Sequence, residues 1–138
     1  MHNIRSDLNR NIRFPEGNVF HTILPTRGFK KLICYEKDGH KFEAIATLII
    51  PSGSTIVRPK YADGKSRTDQ AFVESIENLL DQQVSDDFIC RSPTFGKMIY
   101  KVGSVVKPKK DLDTNVKEIC TSGIHFFLDK KEAADYYY

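Results

Sequence analysis

Apolar positions along this chain recur mostly with the two-residue period of half-buried strands. Phe29 to Tyr35 is an apolar-rich run, Asp38-Gly39 is the dipeptide of a type I′ turn, and Phe42 to Ile50 is the return strand of a hairpin. In that return strand Phe42, Ala44, Ala46, Leu48 and Ile50 share one face. Glu43, Ile45, Thr47 and Ile49 share the other, which becomes apolar towards its end, and this predicts a strand central in its sheet. Shorter strands are predicted over Val19 to Leu24, ended by Pro25, and over Thr55 to Val57, Phe88 to Cys90, Phe95 to Val102 and Val105-Val106. Pro25-Thr-Arg-Gly28 reads as a turn. Ala71 to Leu80 fits two templates: Phe72, Ile76, Leu79 and Leu80 make a helical face, and Ala71 to Ile76 also reads as a strand.

The most specific stretch is the last nineteen residues, Cys120-Thr-Ser-Gly-Ile-His-Phe-Phe-Leu-Asp-Lys-Lys-Glu-Ala-Ala-Asp-Tyr-Tyr-Tyr138. Gly123 is a turn glycine, and Ile124 to Leu128 is an apolar strand with one imidazole, His125, set into it. Asp129 and Glu132 have the spacing of a capping box, and Ala133, Ala134 and the tyrosines give a short helix one face to lay back on the strand. The fold class predicted is α+β, mainly antiparallel sheet with a short C-terminal helix. Residues 1–13 carry Arg5, Arg10 and Arg13 against Asp7 and read as a flexible basic arm; residues 14–138 read as a single globular domain.

Composition narrows the classes. With 40% hydrophobic residues, 28% charged and a net charge of +3, the chain is neither a disordered tail nor a strongly basic nucleic-acid binder. No run approaches eighteen apolar residues, which excludes a membrane helix, and the first ten residues hold no secretory apolar segment. Cys34, Cys90 and Cys120 are odd in number and far apart, the pattern of buried free thiols in a reducing compartment, with no metal site. Charge is segregated: Asp69 to Asp87 has six acids and no Lys or Arg, and Arg91 to Lys110 has six bases and no acid. The segment from Arg58 to Arg67 sets Arg58, Lys60, Lys65 and Arg67 around Tyr61, a composition suited to phosphate or carboxylate binding or to a solvated loop. His125 reads either as a core histidine bonded to backbone or as a donor or general base in a pocket. No P-loop, dinucleotide fingerprint or paired-carboxylate motif occurs.

Two resemblances add to this. Ile99-Tyr-Lys-Val-Gly-Ser-Val-Val-Lys-Pro108, Cys120-Thr-Ser-Gly-Ile-His-Phe-Phe127 and Lys131-Glu-Ala133 form one set of matching stretches. Leu48-Ile-Ile-Pro51, Lys65-Ser-Arg-Thr-Asp-Gln-Ala71 and Val73 form the other. Together they resemble an uncharacterised domain of large DNA viruses and phages, often attached to pentapeptide repeats. The likeness covers roughly residues 28 to 138, with Ser66 where a cysteine is usual. It implies a strand over Ala71 to Ile76 and a non-catalytic binding or structural module, without cofactor, that contacts a protein or polyanionic partner in the host cytoplasm or the virion. A second, local resemblance links Gly123-Ile-His-Phe-Phe to the Gly-Ile-Tyr-Phe-Ala segment of poly-ADP-ribosyltransferases. It implies an NAD-binding enzyme in which His125 and Tyr136 flank the nicotinamide and the acid comes from upstream, from Glu43 or Glu74. Ala133 stands where that family has a serine.

Overall fold

The computed structural model describes residues 14–93 and 98–137. The predicted arm, Thr94, the first three residues (95–97) of the strand predicted over Phe95 to Val102, and Tyr138 lie outside them. Ten strands run in order: β1 (Asn18–His21), β2 (Thr26–Tyr35), β3 (Lys41–Ile50), β4 (Thr55–Arg58), β5 (Ser66–Thr68), β6 (Ala71–Asn78), β7 (Ile89–Arg91), β8 (Ile99–Tyr100), β9 (Val105–Val106) and β10 (Ile124–Phe126). A six-residue helix, α1 (Lys130–Asp135), follows. The expected α+β class is therefore met only loosely: the described chain is nearly all antiparallel sheet, with this one short helix.

The β2–β3 hairpin is the spine. Ten residue pairs hold it, from Thr26↔Ile50 to Tyr35↔Lys41, and β3 is central between β2 and β6, as its two apolar faces predict. The turn is not type I′, because only Gly39 has positive φ (93°). Gly39 N–H donates to Glu36 O and Glu36 N–H to His40 O, which makes a type I turn closed by a left-handed glycine. The expected Pro25–Gly28 turn is also corrected, since Thr26 already belongs to β2. Gly28 is needed there for space: a Cβ would stand 2.6 Å from Cδ2 of Phe126. Gly28→Ala should cost about 1–3 kcal/mol through overpacking, read as a lower urea midpoint, and an unchanged midpoint would show that the ring can move aside.

The ambiguity over Ala71 to Leu80 has a physical origin. Thr47 faces Ser75 but Leu48 faces Val73, so Glu74 is an extra residue, a β-bulge. The bulge switches the alternation, turning Ala71, Val73 and Ile76 inward at a spacing that mixes two periods. Glu74 points out to Arg27 at 3.5 Å.

The six-stranded sheet has the order β8-β7-β2-β3-β6-β9, yet its opposite edges β8 and β9 are joined by residues 101–104 alone. The five steps from Tyr100 to Val105 reach at most about 18 Å, less than the roughly 24 Å across a flat six-stranded sheet, so the sheet must roll until its edges approach. The turn completes the seam by exchanging bonds with β6: Gly103 N–H donates to Val73 O and Val73 N–H to Ser104 O. A second sheet, β1-β4-β5-β10, is joined to the first by a backbone bridge in which Phe29 and Phe127 exchange both bonds at 2.7 Å. The free side of β2 is thus divided between β7 and the end of β10.

The main core, including Leu32, Ala44, Leu48, Ile50, Val73 and Phe126, fills the interior of the roll. A smaller cluster of Ile45, Phe127 and Ala133 lies under α1 on the outer face. Asp129 is the N-cap by backbone only; the side-chain bond of the expected capping box does not form.

The expectation of buried free thiols fails for all three cysteines, in two ways. Antiparallel pairing sets Cys34 of β2 directly opposite Cys90 of β7, with Cα atoms 3.9 Å apart, and the two form a disulfide. Cys120 is the free thiol, and it is exposed rather than buried. The thiol pattern therefore no longer argues for a reducing compartment.

Candidate functional site

The residues predicted to act together as a basic loop separate. Lys60 and Tyr61 are exposed, Tyr61 on a left-handed backbone (φ 57°) with 89% of its surface in solvent. Arg58 is buried and donates to Phe14 O, Gly64 O and the Ser66 hydroxyl. Arg67, in β5 rather than in a loop, is fully buried and donates to the carbonyls of Asp113, Asn115 and Glu118, each at 2.7 Å. Both guanidiniums thus serve to anchor neighbouring chain.

Around the C-terminal strand a different cluster forms. His125 pairs with Arg67 across β10 and β5 and is buried. Its Nε2 lies 2.8 Å from Thr121 O, which fixes Nε2 as the protonated nitrogen. Burial, then the charges of Lys30 and Lys65, pull its pKa down to about 3, so the ring is neutral at physiological pH. Lys65 is 9% exposed; its ammonium donates to the Tyr136 hydroxyl at 3.0 Å and stands 5.0 Å from that ring's centroid. Cys120 Sγ is 3.8 Å from Lys65 Nζ. The Tyr136 ring also packs on Phe127, with centroids 5.5 Å apart. Tyr136 thus packs on Phe127, two positions along the chain from His125, while its hydroxyl accepts from Lys65.

Two buried lysines of β2 complete the region. Beyond the Phe29–Phe127 bridge, β2 and β10 diverge, and His125 presents its carbonyl to the gap. Lys30 fills it, donating to that oxygen at 2.8 Å. Lys31 points the opposite way, under the helix, donating to Tyr136 O at 2.9 Å and lying 3.4 Å from Glu43. An ammonium at the carbonyl end of α1 is favourably placed. Neither lysine was singled out from sequence. Two consecutive lysines in an otherwise apolar strand face opposite sides, so one of them must enter the core; that is the signal available.

A separate basic surface lies at the seam of the roll. Arg91, Lys107 and Lys109 rim a cleft of about 470 Å³ whose other walls include Met98, Ile99, Ser104 and Val105, with no acid among its lining residues. The acidic block does not neutralise it. Glu74 pairs with Arg27, and Glu77 and Asp81 pair with Lys130, while none of the ion pairs among the described residues involves Arg91, Lys107 or Lys109. One atom of a metal-ligating type from each of Glu36, Asp38 and His40 gathers within 4.8 Å at the exposed β2–β3 turn, where His40 Nδ1 is already 2.9 Å from Asp38.

Rolled antiparallel sheet, a short helix over its outer face and a strand carrying Gly-Ile-His-Phe-Phe together define the described residues as a small β-rich unit. The chain belongs to a family of unknown function, DUF5758, whose model matches residues 10–133. It is 44% identical over 99 residues to Uncharacterized protein L223 of Acanthamoeba polyphaga mimivirus, covering 68% of this chain and 62% of that protein, less than two thirds of that relative's own length. It is 35% identical over 131 residues to Uncharacterized protein L796 of the same virus, covering 94% of this chain and 87% of the relative. No solved structure matches the chain. These relatives are uncharacterised viral proteins, and none of the matches supports the transferase resemblance. Among the described residues no helix is long and apolar enough to cross a membrane.

Proposed function

We propose that this chain is a non-catalytic binding module of a large DNA virus that contacts a polyanionic partner through the cleft at the seam of its rolled sheet. The observation that carries this reading is the cleft itself. Three cationic side chains, Arg91, Lys107 and Lys109, rim one concavity without an acid in its lining, and exposed Ile99 and Val105 give it apolar walls. Cations with no ion-pair partner among the described residues keep their charge available, and a polyanion that engages them releases counterions. Lys60 and Tyr61 of the predicted basic loop remain available as outlying contacts, whereas Arg58 and Arg67 have their donors engaged internally.

The test is binding of a single-stranded oligonucleotide or heparin as a function of salt. Affinity should fall linearly on logarithmic axes, and the double variant Lys107→Glu with Lys109→Glu should flatten the slope by about 1.4 if each lysine meets one phosphate of a single strand. No binding at low salt, or an unchanged slope in the variant, would remove this cleft as the contact surface.

A further inference from the structure

A buried excess of hydrogen-bond donors lies where β10 diverges from β2. Lys30 and Lys65 are 8% and 9% exposed, and neither lies within ion-pairing distance of a carboxylate among the described residues. Lys30 places one N–H on His125 O, and Lys65 places one on the Tyr136 hydroxyl. On the inner side, Lys30 Nζ is 5.8 Å from the ring centroid of Tyr100, whose hydroxyl is buried with no partner among the described residues. Among the described residues no carboxylate faces the pair: Nε2 of His125 donates to Thr121 O, Arg67 is committed to its three carbonyls, and the titratable group beside Lys65 is the Cys120 thiol at 3.8 Å. Two buried ammoniums and an unsatisfied phenol are costly unless something accepts from them.

We propose that Lys30 and Lys65 form the floor of a small oxyanion site that takes a phosphate-class dianion, entered beside the exposed Cys120. A dianion matches two ammoniums, where a carboxylate would neutralise only one, and its oxygens can accept the several N–H groups left over. Lys30, held down to about 7 by burial and then by Lys65, regains a full charge when an anion sits beside it. Free inorganic phosphate and the phosphate group of a larger ligand present the same chemistry.

Titration calorimetry of the full chain with inorganic phosphate, at pH near 8 where the free ligand is already mostly the dianion and Lys30 mostly neutral, and in two buffers of different ionisation enthalpy, tests this. The expected result is saturable binding with net proton uptake, weakened by about tenfold or more in Lys30→Met and in Lys65→Met and unchanged in Lys37→Gln, at an exposed lysine of the β2–β3 turn. Glycerol phosphate run in parallel separates the sources: equal or tighter binding points to a phosphate monoester, and weaker binding to the free ion. The lysine variants are checked by circular dichroism. Absence of binding by the wild-type protein, or native-like Lys30→Met and Lys65→Met that both bind as the wild type does, would overturn the proposal.

Discussion

Loss of the Cys34–Cys90 disulfide is expected to lower stability by about 4 kcal/mol. The bridge spans 56 residues of sequence, and closing a loop of that length removes roughly this much chain entropy from the unfolded state. Its position adds to the effect. β7 meets β2 over only three residue pairs, and β7 in turn carries β8, from which the 101–104 turn completes the seam. Urea unfolding of the Cys34→Ala, Cys90→Ala double variant beside the oxidised wild type measures the difference. Reduced wild type should unfold at nearly the same lowered midpoint as the double variant. Coincident midpoints for oxidised wild type and the variant would show that the seam closes without the bond.

This bond also marks a limit of reading the chain. A separation of 56 residues carries no pairing signal; the partners become opposite only once β7 docks on the free half of β2. The β2–β3 hairpin was legible because its alternation is long and its turn holds Asp38-Gly39. The start of β2 was not, because Gly28 looks like a turn residue until the ring of Phe126 is seen occupying the space of its side chain. Within Ala71 to Leu80, the bulge at Glu74 breaks the two-residue period and leaves Phe72, Leu79 and Leu80 exposed, so the pattern mimics a helical face. The strand of His125 and the helix after it were legible from local pattern. Their surroundings were not, since Lys30, Lys65 and Arg67 reach the strand from elements 95, 60 and 58 positions earlier than His125. Basic residues were expected to face solvent around Tyr61. Instead the alternation of β5 turns Arg67 towards the connector and leaves Ser66 and Thr68 on the other face.

Arg67→Leu is expected to cost roughly 3–5 kcal/mol, because it removes a buried cation that satisfies three backbone carbonyls at once. Those carbonyls, of Asp113, Asn115 and Glu118, belong to a connector without regular secondary structure. Its other bonds to the fold include Lys60 N–H to Val116 O. Gly123 at the end of the connector has φ 141°, and a Cβ there would stand 3.1 Å from Cβ of Arg67, so connector and arginine are packed as one unit. Lysine offers donors from a single nitrogen and cannot fan across three carbonyls, so Arg67→Lys should recover less than half of the loss. Hydrogen exchange should localise the damage: amides from Asp111 to Ser122 lose protection while those of β2 and β3 keep theirs. The same loosening withdraws Thr121 O from His125 and opens the ground beside Lys65 and Cys120, so phosphate binding at that site should weaken together with the connector. Uniform loss of protection across the sheet would instead make Arg67 part of the global core, and an unchanged urea midpoint would mean that the connector holds its place without it.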